Sequence, residues 1–447
     1  MKRILTVAGS DSGGGAGIQA DLKAITVLGG YGMSVITALT AQNTIGVQRV
    51  HAVPVEFIAR QLDSVLSDIG ADAAKTGMLA TPEIVETVAD GLKRYNINPL
   101  VVDPVMVAKS GDSLLSEDAR ETLKTALLPL ATVVTPNLPE AEVLCGRPVK
   151  TQDEMQEVAM CIYDLGPRYV LIKGGHMEGR PVDLLYDGKD FQKYDAPRLN
   201  QRNTHGTGCT FSAALATLLA EGLPIAEAAG KAKKFITRAI GTGLNIGAGH
   251  GPTNPYAHVA NLQERETVLA ELKGAVEFLV QQRLGAIIPE VRSNLGYALP
   301  MALEYEEVAG FPGRISQIGD EVLIYKDPVF GASRHIARVI LAAMKHAPEL
   351  RSAMNIRYNP NILAAGEKME FRTASFDRKK EPKDVKEREG STLEWGTHLA
   401  LEGLEDMPDL VYDEGDVGKE PMIRVLGRNP MEVVEKVKRI KEVSERT

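Results

Sequence analysis

The spacing of apolar residues divides the chain into two textures. Through the first 250 residues, short β-branched runs alternate with stretches whose apolar positions recur every three or four residues. Arg3 to Val7, Met33 to Leu39, Leu100 to Val102, Thr132 to Thr135 and Tyr169 to Lys173 (YVLIK) read as strands. Gly17 to Leu28, Val55 to Ile69, Glu117 to Leu127, Gln152 to Leu165 and Thr207 to Ala220 read as helices. This alternation predicts an α/β domain with a mainly parallel sheet covered by helices on both faces. From about residue 260 the rhythm changes. Leu262 to Gln282 is a long charged amphipathic helix, followed by irregular segments rich in Pro, Gly, Asp and Arg. A helix over Ile336 to Met344 and another over Pro430 to Val443 are the remaining periodic stretches. The boundary is expected near residue 262, giving domains 1–262 and 263–447, the second also of α/β (α+β) type.

Composition narrows the function classes. Two or three domains suit 447 residues. A net charge of −8 argues against a dedicated nucleic-acid binder, though not against a local phosphate pocket. No apolar run approaches the roughly 18 residues needed to span a bilayer. The eight histidines are scattered without metal-ligand spacing. Three cysteines, Cys145, Cys161 and Cys209, give no disulfide framework and point to a reducing cytoplasm.

Two glycine clusters follow this pattern. Ala8 to Ala20 (AGSDSGGGAGIQA) links the first strand to a helix, and by itself is as compatible with a tight turn as with a ligand loop. Asn203 to Ala213 (NTHGTGCTFSA) is more informative. GTGC at a helix start gathers main-chain N–H groups where the helix dipole is positive, which suits a phosphoryl group. Cys209 sits there. A lone cysteine beside an apolar helix is usually inert core, but the helix N-terminus is expected to lower its pKa toward a thiolate or proton acceptor. Asp103, Asn137, Glu140 and Lys173 follow three strands. Each reads singly as a cap or turn residue; together they mark the carboxyl ends of strands, where α/β sheets bind ligands.

The segments GSDSGGGAGIQADLKA, TALTAQN, KTGML, VVDPVM, TPNLPEAEVL, IKGGH and HGTGCTFSAA, in this order, resemble the hydroxymethylpyrimidine/phosphomethylpyrimidine kinase family of the ribokinase-like superfamily. The resemblance covers roughly residues 1–258; Gly13 stands where the family usually has Ser. It implies ATP-dependent phosphorylation of 4-amino-5-hydroxymethyl-2-methylpyrimidine, then of its monophosphate. It places Asp21, Gln42 and Met78 at the pyrimidine, with Gly9 and Gly17 in the adjoining loop. Gly206, Thr207 and Gly208 become an anion hole with Cys209 as proton acceptor or anchor for the nucleophile. Asn137 and Glu140 organise Mg²⁺ around ATP, and Asp103 and Lys173 touch the ATP side.

In the second part, Arg, His and carboxylates concentrate on turn-rich loops, which reads as an anion site. For any single residue a surface ion pair or cap is the safer reading. FGASRHIARV, SAMNIRYN, SFDR, EGSTLEWG and DEGDVGKEPMIRVLGRNP resemble the thiamine-phosphate synthase domain fused to the pyrimidine kinase in archaea and some bacteria, distinct from the TIM-barrel synthase. The implied reaction couples the pyrimidine pyrophosphate to 4-methyl-5-(2-phosphoethyl)thiazole, with Arg314 and His335 as the catalytic pair. The position of His335 just before a helix is expected to lower its pKa. Arg334, Asn355, Arg357, Ser375, Asp377, Asp413, Asp416 and Lys419 are further candidates. Of these, Arg334 and the acidic loop Asp413 to Asp416 would hold thiazole phosphate or Mg²⁺, unassigned between them. The competing reading is a pyridoxal-type kinase fused to a non-catalytic thiamine-phosphate sensor. The partners implied are small molecules, with no nucleic acid or membrane; the oligomeric state is left open, a homo-oligomer included.

Overall fold

The computed structural model describes every residue except 107–115, 176, 178–180, 200, 383–390, 405, 417–418 and 447. Of the sequence expectations, His176 of the IKGGH segment lies outside the described residues. Contacts divide the chain into two compact units, Met1–Val259 and Ala260–Thr447. The expected boundary near 262 falls inside a helix, Ala257–Gln281, that begins before it.

The first unit is built on β1 (Arg3–Asp11), β2 (Tyr31–Gln42), β3 (Val47–Ala52), β4 (Ala73–Thr76), β5 (Leu100–Val102), β6 (Val133–Val134), β7 (Tyr169–Ile172), β8 (Val182–Tyr186) and β9 (Phe191–Asp195). Among the described residues they form one sheet in the order β3-β2-β1-β4-β5-β6-β7-β8-β9. From β2 to β7 every pairing is parallel; β3, β8 and β9 add antiparallel edges. The helices are α1 (Gly17–Val27), α2 (Val55–Asp68), α3 (Pro82–Arg94), α4 (Glu117–Thr122), α5 (Leu138–Cys145), α6 (Gln152–Tyr163), α7 (Thr207–Ala220) and α8 (Ile225–Gly241). Successive strand residues point to opposite faces. Leu5, Leu100, Val102, Val134 and Ile172 therefore pack with α2, α3, α5 and α6. Ile4, Val101, Val133 and Leu171 pack with α1, α7 and α8. Two faces buried at once explain why these strands read as unbroken apolar runs.

Two expectations need correction. The helix expected over Glu117 to Leu127 stops as α-helix at Thr122 and continues as a wider turn over Leu123–Leu127. Cys145 and Cys161 are joined by a disulfide. An odd cysteine count still accommodates one bridge plus a free thiol, Cys209, and here α5 and α6 pack side by side and bring the two residues together.

The second unit has a seven-stranded, largely antiparallel sheet among the described residues. Its strands are β10 (Leu295–Ala298), β11 (Val308–Gly310), β14 (Val329–Phe330), β15 (Ser352–Arg357), β16 (Thr373–Ser375), β17 (Leu410–Asp413) and β18 (Met422–Gly427), while β12 (Ile315–Ile318) and β13 (Glu321–Ile324) form a separate hairpin. The order is β14-β11-β10-β15-β18-β17-β16. α9 (Ala257–Gln281) and the C-terminal helix Pro430–Ser444 cover one face. α10 (Arg334–His346) and the helix Ser391–Leu401 cover the other. Strands of two to six residues carry too few alternations to register as a period, which is why the sequence of this sheet looks irregular.

Lys75 and Asp21 tie β4 to α1 with no exposed side-chain surface on either partner. Removing one charge of such a pair strands the other in the core. Asp21→Ala is expected to lower the unfolding free energy of the first unit by about 3–5 kcal/mol, measured by urea denaturation. A loss under about 1 kcal/mol, the range of an exposed pair, would show that the ammonium finds other solvation.

Candidate functional site

In the first unit, the carboxyl ends of β1, β4, β5, β6 and β7 face the start of α7. The two glycine clusters meet there. Gly206 has φ +76°, and a Cβ on it would lie 1.8 Å from the Gly15 carbonyl oxygen. Gly17, with φ +54°, is also tight: a Cβ on it would lie 2.3 Å from the Gly9 carbonyl oxygen. Only glycine allows this close approach of backbones. Asp11 organises the loop between them, accepting N–H bonds from Gly13 at 2.8 Å, Gly15 at 3.0 Å and Ala16 at 2.8 Å. Its carboxylate also lies 2.9 Å from His205 Nε2. Burial opposes its charge, but His205 and the Ala16 and Gly13 N–H groups hold Asp11 below the usual carboxylate range.

The sequence candidates separate here. Gln42, at the end of β2, reaches His205 with its amide nitrogen at 3.3 Å. Met78 follows β4 and lies against Gly9; a Cβ on Gly9 would be 3.2 Å from the Met78 sulfur. Asp21 is brought near but lies behind the site. Both its oxygens are within 3.0 Å of Lys75 Nζ, and Thr6 donates to one of them at 2.6 Å. It has no surface to offer a ligand. Burial would strip the Lys75 proton, yet Asp21, Cys209 and Asp103 hold its pKa above the ordinary lysine value.

Cys209 contradicts its expectation. Burial pushes the thiol up to about 11, Asp21 and Asp103 add to this, and Lys75 and the Gly17 N–H only partly offset it. It is a neutral thiol near pH 7. The helix N-terminus acts over a few tenths to about 1 kcal/mol in exposed settings, less than the desolvation of a buried thiolate between two carboxylates.

On the other side of the α7 start, Lys173 Nζ lies 2.8 Å from Asp103, which also accepts from Thr135 at 3.1 Å and Ser212 at 3.3 Å. Burial works against the Asp103 charge, but Lys173 and Lys75 hold it low. A Cβ on Gly208 would be 3.3 Å from Lys173 Nζ and 3.4 Å from Asp103 Oδ2, so the pair borders the helix start directly. Asn137 and Glu140 form a reciprocal capping box on α5, the cap reading set out for Asn137. Glu140 has a further property. Burial, reinforced by Asp103, raises its carboxyl to about 7 against the pull of Lys173 and two N–H groups.

The second unit holds a pocket with two chambers. Arg314, at φ +67° in the turn between β11 and β12, donates to the Val291 carbonyl at 2.6 Å. His335, in the first turn of α10, lines both chambers with Arg314. Its pKa is lowered as expected, but chiefly by burial and then by Arg314, Arg338, Arg378 and Arg424. Arg334 lines the outer chamber, its guanidinium 5.0 Å from the Tyr305 ring. Asn355 and Lys419 line the inner one. Arg357, Ser375 and Asp377 are not among the lining residues; Asp377 caps a short turn by accepting from Lys379 at 2.9 Å. Asp413 departs from its expectation. It is buried, with Arg378 at 2.5 and 3.1 Å and Arg424 at 2.7 Å, so it is closed to Mg²⁺. The Asp416 and Lys419 main chains bond each other, and Asp416 is also outside the lining.

Sequence reasoning passed over Asp11, Lys75 and His205 in the first unit, and Arg292, Asn294 and Arg424 in the second. Asn294 braces the Arg314 turn through two 2.9 Å bonds with the Phe311 main chain. The usable signal was a charged residue inside an apolar strand: Lys75 in AAKT, Arg424 in MIRVLG.

Residues 11–254 match the family model for phosphomethylpyrimidine kinase. The chain belongs to the phosphomethylpyrimidine kinase family. Residues 271–439 match the model for thiamine-phosphate synthase ThiN. The chain therefore carries two transferase domains of thiamine biosynthesis, a kinase and a synthase. It is 52% identical over 251 residues to the hydroxymethylpyrimidine/phosphomethylpyrimidine kinase of Streptomyces coelicolor, covering 56% of this chain and 93% of that one. It is 52% identical over 263 residues to the thiamine biosynthesis bifunctional protein ThiED of Geobacter sulfurreducens, covering 59% of this chain and only 54% of that protein. A Bacillus subtilis pyridoxal kinase solved as an ADP complex superposes with a TM-score of 0.55 at 42% identity, covering 57% of this chain and 98% of that one. The first unit thus has the ribokinase-like fold. Among the described residues no helix is long and apolar enough to cross a membrane.

The raised Glu140 pKa gives the kinase domain a pH signature. Folding favours the proton, so this contribution is complete below the ordinary value of 4.5 and is lost as pH rises toward about 7. Glu140→Gln keeps an acceptor for the capping box and removes the titration. Urea unfolding across this window is expected to show a falling stability in the parent that the variant flattens. An unchanged slope would mean that other groups produce it.

Proposed function

We propose that the kinase domain transfers the γ-phosphoryl group of ATP to the hydroxymethyl oxygen of 4-amino-5-hydroxymethyl-2-methylpyrimidine and then to the resulting monophosphate. The synthase domain then joins that pyrophosphate to 4-methyl-5-(2-phosphoethyl)thiazole. The observation that carries the first step is the α7 start, with Gly206, Thr207, Gly208 and Cys209 flanked by two buried ammonium groups, Lys75 and Lys173. In a site that only positions and neutralises charge, that is what phosphoryl transfer requires. Gln42, beside His205, and Met78, against Gly9, offer an amide for the aminopyrimidine edge and an apolar wall for its ring.

Because Cys209 is protonated, we assign it to hold the hydroxymethyl oxygen by a hydrogen bond. The new O–P bond forms as the bond to ADP breaks, and the hydroxyl proton leaves late, to a phosphoryl oxygen. Mg²⁺ would neutralise phosphate charge. Glu140, already forced toward neutrality by burial, is the carboxyl a dication would recharge, with Asp103 beside it. No cluster of three ligating side chains exists among the described residues, so the ion would be held largely by phosphate oxygens and water. We place both reactions in the cytoplasm, where ATP is supplied.

In the synthase domain the thiazole nitrogen lone pair forms the C–N bond to the pyrimidine methylene carbon as the C–O bond to pyrophosphate breaks. Arg314 offers a fixed charge to the departing oxygens. His335, its pKa lowered by burial and then by its arginine neighbours, donates a hydrogen bond to those oxygens from the neutral ring without adding repulsion. A pyridoxal kinase activity for the first domain is the second reading, favoured by the B. subtilis superposition; comparing turnover of pyridoxal and hydroxymethylpyrimidine decides it.

The direct assay supplies ATP, Mg²⁺, hydroxymethylpyrimidine and thiazole phosphate and looks for thiamine phosphate. Arg314→Ala and His335→Ala are each expected to cut coupling by on the order of 10²–10³ with kinase turnover unchanged. Thiamine phosphate that binds but is never formed would make the second domain a sensor.

Gln42→Ala is expected to raise the pyrimidine KM about 5- to 150-fold, from the loss of a buried pairing partner, without affecting the KM for ATP. Cys209→Ala is expected to lower kcat by about 10² at unchanged pyrimidine KM, the scale of lost positioning. A loss near 10⁴ would restore the general-base role.

A further inference from the structure

The two chambers in the synthase domain differ in chemistry, and the difference divides the substrates. This inference rests on the synthase reading above. The outer chamber, about 500 Å³, is bordered by Glu290, Gly313, Arg314, Ser333, Arg334 and His335. It is open, polar and placed at the first turn of α10, an arrangement suited to a highly charged, solvated group. The inner chamber, about 410 Å³, has an apolar wall of Ile336, Val339 and Met422. Its lining also includes Arg378 and Arg424.

These two arginines share a single carboxylate. Arg378 grips both oxygens of Asp413, and Arg424 Nη2 takes Oδ2 at 2.7 Å. The Gly415 N–H occupies Oδ1 as well, at 3.0 Å. The Arg424 side chain is 3% exposed and that of Arg378 9%. Among the described residues, two buried guanidiniums against one carboxylate leave one positive charge without a paired carboxylate in a low-dielectric setting. Such a charge is expensive unless an anion completes it. Burial, with a smaller repulsion from Arg378, depresses the Arg424 pKa against the pull of Asp413.

We infer that Arg378 and Arg424, held on Asp413, form the subsite for the phosphate monoester of the thiazole substrate, and that the outer chamber takes the pyrophosphate leaving group. The apolar wall then receives the flat, sulfur-containing ring. Arg314 and His335 stand where the chambers join, as required of groups that act on the bond between the two substrates. A small phosphate monoester suits the inner site because Arg378 and Arg424 are fixed on Asp413 beside the apolar wall; Arg292, Arg314 and Lys419 also line that chamber, against Glu420. The enzyme would accordingly distinguish the phosphorylated thiazole from its free alcohol at the inner site.

The test uses the full-length protein and measures KM separately for pyrimidine pyrophosphate and thiazole phosphate. Arg378→Gln keeps two N–H groups and loses the charge. The expected result is a rise of about 10- to 100-fold in the KM for thiazole phosphate, with the KM for pyrimidine pyrophosphate within about twofold. The preference for thiazole phosphate over thiazole alcohol should collapse, which a merely structural defect would not produce, since it would impair both alike. In the parent enzyme, inorganic phosphate should compete with thiazole phosphate, and inorganic pyrophosphate with pyrimidine pyrophosphate; this arm holds even if the variant does not fold. Phosphate competing only with pyrimidine pyrophosphate, or a variant whose phosphate preference survives, overturns the assignment. Absence of any coupling by the parent with all substrates present would instead remove the synthase reading itself.

Discussion

Burial of cations beside sites meant for phosphate is the constraint on which both domains depend. An ammonium or guanidinium taken out of water is destabilising unless a carboxylate meets it, yet a fully paired cation has little attraction left for a substrate. In the kinase domain the solution is one carboxylate per lysine, with the pairs placed around the start of α7. Lys75 rests on Asp21, and Lys173 on Asp103. Neither pair carries net charge, so attraction for the transferring phosphoryl group falls to the first N–H groups of the helix and to whichever Lys–Asp partner the substrate polarises. In the synthase domain the ratio is two arginines to one carboxylate, and the excess charge is itself the recognition element.

The same constraint explains two pKa outcomes that a single rule would have treated alike. Cys209 and His335 both lie in the first turn of a helix. Each sits at the positive end of a helix dipole, which favours the thiolate for one and the neutral ring for the other. His335 obeys, because burial and four arginines push in the same direction as the dipole. Cys209 does not, because burial and the carboxylates of Asp21 and Asp103 oppose the dipole and exceed it. The local element gives the sign of a small effect; the residues that other strands bring alongside give the sign of the large one.

This is also where the sequence was legible and where it was not. In the kinase domain, periodicity placed Leu100–Val102 and Thr207–Ala220 with their observed bounds, because strands buried on both faces and a helix rich in small apolar residues leave strong patterns. The motif segments brought Gln42, Met78, Cys209, Asp103 and Lys173 toward one end of the sheet. What remained hidden was which side chains would already be engaged. Asp21 reads as a plausible ligand contact until Lys75, 54 residues away, proves to hold it. Asp413 reads as part of an acidic loop until β18 delivers Arg424 from the neighbouring strand, Asp413 being paired with Met422 in the register. The packing of α1 on the sheet sets Lys75 against Asp21, and strand pairing sets Arg424 near Asp413; a one-dimensional pattern encodes neither. The synthase strands were harder still, since β11, β14 and β16 span three residues or fewer.

Strand register thus acts twice in the synthase domain, once to build the sheet and once to set the charge of its pocket. β17 and β18 run antiparallel with Val411 opposite Arg424 and Asp413 opposite Met422. Arg424 reaches back across this pairing to Asp413, while Arg378 arrives just after β16, whose Ser375 pairs with Tyr412. Side-chain direction alternates along a strand, so a slip of one residue would turn Arg424 to the opposite face. Asp413 would then hold Arg378 alone, a neutral pair, and the inner chamber would lose its unbalanced charge. The positive floor therefore depends on a register, and the register is fixed in turn by Leu410, Ile423 and Val425 facing one core and Val411 and Leu426 the other. Apolar burial, which has no preference for any ligand, is what keeps a phosphate-sized charge in place.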